Sequence, residues 1–161
     1  MRDFRKSLAG AALGALALAS CVSGGGLPAP DRLALDQSRP HLALFEQALG
    51  EHFAGQGSGA QPPTTCVSRR PRALSADDEE ALMTRFVRLA PISRCRTSPG
   101  GPVDSIIGTR ADVIELYDFA CTDAAHCVGW INRPGSPSTR HAMEWRDGAW
   151  HFTADRRLLA E

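Results

Sequence analysis

Spacing places Glu144 and His151 best in this chain for passing a proton between them. They flank Asp147-Gly148, a strong two-residue turn signal because both positions tolerate φ > 0. That turn pairs Arg146 with Ala149, Trp145 with Trp150, Glu144 with His151 and Met143 with Phe152. A carboxylate facing an imidazole, with Arg146 close by, could work as an acid–base pair. It could equally be an ion pair on a solvent face, so Glu144 and His151 are weak catalytic candidates. His126 sits beside Cys127 with Asp123 nearby. A Cys–His nucleophile needs a free thiolate and an oriented base, and a disulfide-bonded Cys127 cannot supply one, so a polar loop tip accounts for the trio. The other histidines, His41, His52 and His141, are scattered, with no His-x-x-x-His or His-Glu-x-x-His. No Gly-x-Ser-x-Gly elbow occurs. Gly24 to Gly26 and Gly100-Gly101 lack the spacing and the lysine of a phosphate loop. No metal and no cofactor are expected. Trp130, Trp145 and Trp150 could line a sugar platform but read as core and cross-strand packing. Arg69, Arg70 and Arg72 could touch lipid headgroups or a carboxylate-bearing partner, and a solvated loop is the commoner case.

Apart from Cys21, four cysteines remain: Cys66, Cys95, Cys121 and Cys127. An even number in an exported chain reads as two disulfides. Three pairings exist. Cys66–Cys95 with Cys121–Cys127 is favoured because each staples a local unit. Chain entropy assigns about 3.5 kcal/mol to the longer loop and about 2.5 to the shorter. A zinc site is disfavoured, since no Cys-x-x-Cys occurs.

The elements that would position these groups follow from periodicity. Ser38 and Pro40 open a helical pattern in which Leu42, Phe45, Leu49 and Phe53 recur, and Gly55 stops it. Gln56 to Pro63 is a Gly/Ser/Pro linker. Ser75 caps a second helix, with Asp78 three residues on. Asp77 to Glu80 suit the positive end of its dipole without implying a cation site. Leu82, Phe86 and Leu89 share a face, widened by Met83, Val87 and Ala90, and Pro91 ends the run. Two hairpins follow. The first joins Asp112 to Cys121 with Cys127 to Arg133, and the second turns at Asp147-Gly148.

The N-terminal stretch carries a resemblance. Arg2, Arg5 and Lys6 precede an apolar run from Leu8 to Ala19, about half of what a spanning helix needs. Leu18-Ala19-Ser20-Cys21 then resembles the lipobox of a bacterial lipoprotein signal. The resemblance covers residues 1 to 21. It implies cleavage before Cys21, acylation of its sulfur and anchoring by two or three chains, enough for firm attachment. Val22, rather than Asp, implies the outer membrane. Residues 1–20 hold three of the 18 basic residues and one of the 18 acidic ones, leaving the remainder about two charges negative. Such a balance argues against nucleic acid as a partner.

These readings define the expected organisation: a signal over 1–20, a lipidated cysteine and flexible tether over 21–37, and one domain over 38–161. Its fold class is α+β, two N-terminal helices packed on an antiparallel sheet of about four strands in two hairpins, disulfide-stabilised. The helices-first order and the Trp-x-x-Gly-x-Trp hairpin are similar to NTF2-like α+β cones, a generic likeness that implies no site residue. The expected role is a non-catalytic binding module of the bacterial envelope, anchored in the membrane with its domain in the periplasm and meeting an envelope protein or a glycan. The alternative is a small periplasmic enzyme with a helix–sheet pocket holding Glu144 and His151. Cys21→Ala is predicted to block processing or free the domain from membranes. Wild-type processing and fractionation of that variant would overturn the lipoprotein reading.

Overall fold

The computed structural model describes residues 32–56 and 62–155. Cys21, the expected signal, residues 22–31 of the tether and residues 57–61 of the linker lie outside them. In chain order the elements are α1 (Pro40–Gly55), β1 (Thr64–Arg69), α2 (Ala76–Arg85), β2 (Cys95–Arg96), β3 (Val103–Asp104), β4 (Ala111–Cys121), β5 (His126–Arg133), β6 (Ser136–Arg146) and β7 (Ala149–Asp155). Short 3-10 turns occupy Leu33–Leu35 and Ile92–Arg94. Among the described residues no helix is long and apolar enough to cross a membrane.

The fold is α+β, with two helices and a mostly antiparallel sheet, but its detail departs from expectation. The main sheet has five strands in the order β1-β4-β5-β6-β7, and β2 pairs only with β3. The helices do not both precede the strands, because β1 lies between them and pairs parallel to β4. Thr64, Thr65 and Val67 make this stretch rich in β-branched residues. A parallel partner needs a long crossover, and α2 with the β2–β3 pair supplies it.

α1 begins with Pro at its first position, where the missing N–H costs nothing. It buries Leu42, Ala43, Leu44, Phe45, Ala48 and Leu49, a wider arc than the expected stripe. α2 is capped by Ser75, whose Oγ accepts from the Asp78 N–H at 3.1 Å. Asp77, Asp78 and Glu79 fill its first turn. It stops at Arg85, short of the expected run towards Pro91, because Phe86 turns extended (φ −125°, ψ 91°). Leu89 then bridges Thr65 on the outer edge of β1, and the Ala90 N–H donates to the Thr65 carbonyl at 2.8 Å. Edge pairing overrides the helical pattern of Phe86 to Ala90.

β4 to β7 form one continuous antiparallel meander rather than two separate hairpins. Pro134-Gly135 joins β5 to β6, with Gly135 at φ 74°. At the last turn Asp147 (φ 53°) and Gly148 (φ 75°) take the left-handed conformations a primed turn requires. The register there is Arg146 with Ala149, Trp145 with Trp150, Glu144 with His151 and Met143 with Phe152. The disulfides are Cys66–Cys95 and Cys121–Cys127. The first ties β1 to β2. The second joins residues directly opposite in the β4–β5 register.

α1 lies on one face of the sheet, and Gly129 of β5 sets how close it comes. A Cβ there would meet Phe119 Cδ2 at 2.8 Å, Leu116 Cδ1 at 3.0 Å and Leu44 Cδ2 at 3.1 Å. Leu33 joins the same core, so packing reaches back ahead of the expected domain start at Ser38. The Trp150 indole donates to the Asp36 carbonyl at 3.1 Å, tying that segment to β7. Gly129→Ala is predicted to cost about 1–3 kcal/mol by overpacking, and Trp150→Ala about 3–5 by emptying a core site. His151→Ala, on the other face, should cost under about 1 kcal/mol. Urea denaturation of the three variants measures this, and equal losses would mean that the assigned burial is wrong.

Candidate functional site

Residues directly opposite in an antiparallel pair share a face. His126 lies opposite Glu144, and Glu144 opposite His151. The three therefore form a row across β5, β6 and β7 on the face away from α1, in a shallow recess of about 410 Å³ shared with Arg146. The structure thus places Glu144 beside His151 in the strand register and adds His126 to them. The row is open: the side chains of His126 and its ion-pair partner Asp123 are each 57% exposed. Asp123 accepts the Ala125 and His126 backbone N–H groups and faces the His126 ring at 3.0 Å, which lowers its carboxyl below the ordinary range. Cys127 is locked in its disulfide and offers no thiolate.

The three tryptophans do not make one platform. Trp145 and Trp150 meet edge-to-face at 5.5 Å on the α1 side. Trp130 lies opposite Arg140, on the other face, and stacks on Tyr117 at 6.1 Å. The arginine cluster is divided as well. Arg69 stands over the Phe119 ring at 5.5 Å, Arg70 donates to Glu115 at 2.6 Å, and Arg72 is exposed.

A second polar site, built on less exposed side chains, lies where α1 ends against the sheet. Glu51, His52 and Gln56 from α1 and its C-cap, Asp112 from β4, Arg133 from β5 and Ser136 from β6 surround a recess of about 360 Å³. The side chains of His52 and Asp112 are only 10% and 13% exposed, with Nε2 3.5 Å from Oδ2. Arg88 donates to Gln56 Oε1, which turns the Gln56 amide nitrogen towards His52 Nε2 at 2.8 Å. Nε2 must then accept, so the neutral ring carries its proton on Nδ1. In that state Asp112 receives no hydrogen from His52. Arg133 is meanwhile held by Glu51 at 2.7 Å, and Gln47 steadies the same carboxylate at 2.7 Å. Among the described residues the recess therefore offers the Asp112 carboxylate as an acceptor beside the paired Glu51–Arg133 and His52–Gln56. His141 lies close enough to Glu51 and Arg133 to feel both charges, and its buried Nδ1 has no partner among the described residues.

Residue spacing alone does not reveal this site. His52 and Gln56 stand one helical turn apart, which puts them on one face, but nothing local links them to Asp112 or Arg133. A broader groove of about 680 Å³ runs between α1 and β7, lined by Glu46, Arg85 and Trp150 among others. Arg85 and the Ala34 N–H both bind Glu46 there, at 2.7 and 2.8 Å. No cluster of three or more His, Cys, Asp or Glu suited to a metal ion occurs among the described residues.

No family model, no curated protein and no solved structure matches this chain.

Burial lowers the pKa of His41, His52 and His141 below the ordinary 6.5, against the upward pull of Asp78, Asp112 and Glu51 respectively. The unfolded chain takes up these protons first as pH falls, so it binds more protons than the folded one. Stability is then predicted to be full above about 6.5 and to decline as pH falls below it. Thermal melting from neutral to mildly acidic pH measures the slope. His52→Gln should flatten it in part, and an unchanged slope in that variant would remove His52 from the account.

Proposed function

We propose that the chain is an exported bacterial envelope protein, lipid-anchored through Cys21 in the outer membrane, whose domain is a non-catalytic binding module. The observation that carries the binding part is Asp112 in the recess at the end of α1. Gln56 is paired with His52, and Arg133 with Glu51, so among these charged groups of the described residues the Asp112 carboxylate keeps capacity to accept a donor from outside. A hydroxyl, ammonium or guanidinium group on a glycan or an envelope protein has the chemistry to fill it. The lipobox resemblance supports the location, and two disulfides suit an oxidising compartment. An anchor also concentrates a weak binder beside membrane-bound partners.

A small periplasmic enzyme is the second reading. The near-contact of a neutral imidazole with a carboxylate at His52 and Asp112 favours it, as does the row that joins Glu144 to His151.

Crosslinking in the native envelope, followed by mass spectrometry of captured partners, tests the proposal. Asp112→Asn should lower partner recovery about tenfold or more, the loss of a charge-assisted hydrogen bond. The double exchange Glu144→Gln with His151→Gln should leave recovery and complementation of a deletion strain at wild-type levels. Lost complementation by that double variant, with normal folding and localisation, would favour the enzyme reading.

A further inference from the structure

The segment from Arg94 to Arg110 holds four charged residues: Arg94, Arg96, Asp104 and Arg110. Asp104 is fully buried and binds Arg94 at 2.6 and 3.2 Å. That guanidinium, with the Thr64 hydroxyl, holds its carboxyl well below the usual carboxylate range. The segment's exposed charges are therefore Arg96 and Arg110, both positive. Val103 stands opposite Arg96 on one side and Arg110 on the other. Antiparallel partners share a face, so the two arginines leave the protein on the same side, at the base of the loop that follows β3.

That loop is rigid. The Asp104 N–H donates to the Thr109 carbonyl and the Gly108 N–H to the Asp104 carbonyl, each at 2.8 Å. The Asp104 carboxylate accepts the Ile106 N–H at 2.8 Å. The Ser105 N–H donates to the Arg94 carbonyl at 2.7 Å, and the Cys66–Cys95 bond ties the adjoining strand to β1. The tip held this way is apolar and in water: Ile106 is 72% exposed and Ile107 51%. Scattered exposed apolar residues are ordinary. Two adjacent isoleucines on a pinned loop, in a segment whose own exposed charges are positive, have the pattern of a membrane-interface contact.

We propose that Ile106 and Ile107 enter the interface of an anionic phospholipid bilayer while Arg96 and Arg110 meet the lipid phosphates. The inference rests on the envelope-lipoprotein reading for its location. The eleven peptide steps from Cys21 to Arg32 reach at most about 40 Å, so an anchored domain stays within touching distance of the bilayer. A pinned loop loses little freedom on docking, and the anchor raises the effective concentration of a weak contact.

The test uses the chain from residue 21 onward with Cys21→Ser, so that no acyl group contributes. All the packing described lies within that chain. Vesicle sedimentation compares phosphatidylcholine alone with phosphatidylcholine mixed with phosphatidylglycerol. The chain should bind the anionic vesicles and release with added salt. Ile106→Ser with Ile107→Ser should weaken binding about tenfold or more. Arg96→Gln with Arg110→Gln should abolish the preference for phosphatidylglycerol. Unchanged melting temperatures confirm that both variants fold, as expected for exposed positions. No vesicle binding by the parent chain, or equal binding by all three, overturns the proposal, and capture of a protein at the tip without lipid binding does the same. Failure of lipidation is read separately, from Cys21→Ala fractionation, and leaves this assay unaffected.

Discussion

The burial of α1 against the sheet is the constraint on which the rest depends. Leu42, Leu44, Phe45 and Leu49 are wholly removed from water, each contributing on the order of 1.5–3 kcal/mol. The helix can come this close because β5 presents Gly129 beneath Leu44. That depth carries the end of α1 to the level of Asp112 and Arg133, and the recess exists because of it. The same packing seats Trp150 against the Leu33–Asp36 segment, which closes the other side of the helix.

The portion from β1 to β3 is attached differently. It shares Val67, Leu82 and Leu89 with the core, but much of its fixation is covalent or polar. Cys66–Cys95 holds β2 to β1, and buried Asp104 gathers Arg94, Thr64 and the loop after β3. His41 to Asp78 at 3.1 Å and Glu46 to Arg85 at 2.7 Å link the two helices. Small exported domains commonly use disulfides where the core is thin. Pins of this kind also let a crossover keep an apolar loop tip in water without collapsing onto the core, which is what the surface proposed to meet lipid requires.

The polar groups divide by enclosure. His126, Glu144 and His151 form a row on an open sheet face, where solvent screens their interactions. His52 and Asp112 face each other with little water around them, where a hydrogen bond or a lost proton weighs more. Side-chain burial, more than residue type, separates the solvated face from the candidate site here.

Several features were legible from residue order because their causes are short-range. The Ser75 cap needs only the Asp78 N–H one turn on. The Asp147-Gly148 turn sets the pairing of Glu144 with His151 by strand alternation. The cysteine pairings follow chain proximity. The fifth strand, the early end of α2 and the recess were not legible in this way. β1 is a strand because β4 lies beside it, and Leu89 leaves its helical pattern because Thr65 offers an unpaired edge. His52, Asp112 and Arg133 are far apart in sequence and meet only when α1 is seated over Gly129. Sequence alone thus determined the Ser75 cap, the Asp147-Gly148 turn and the pairing of the cysteines, whose energies are settled within a few residues. Tertiary structure decided which polar groups are enclosed together, because that depends on the depth of one helix on one sheet.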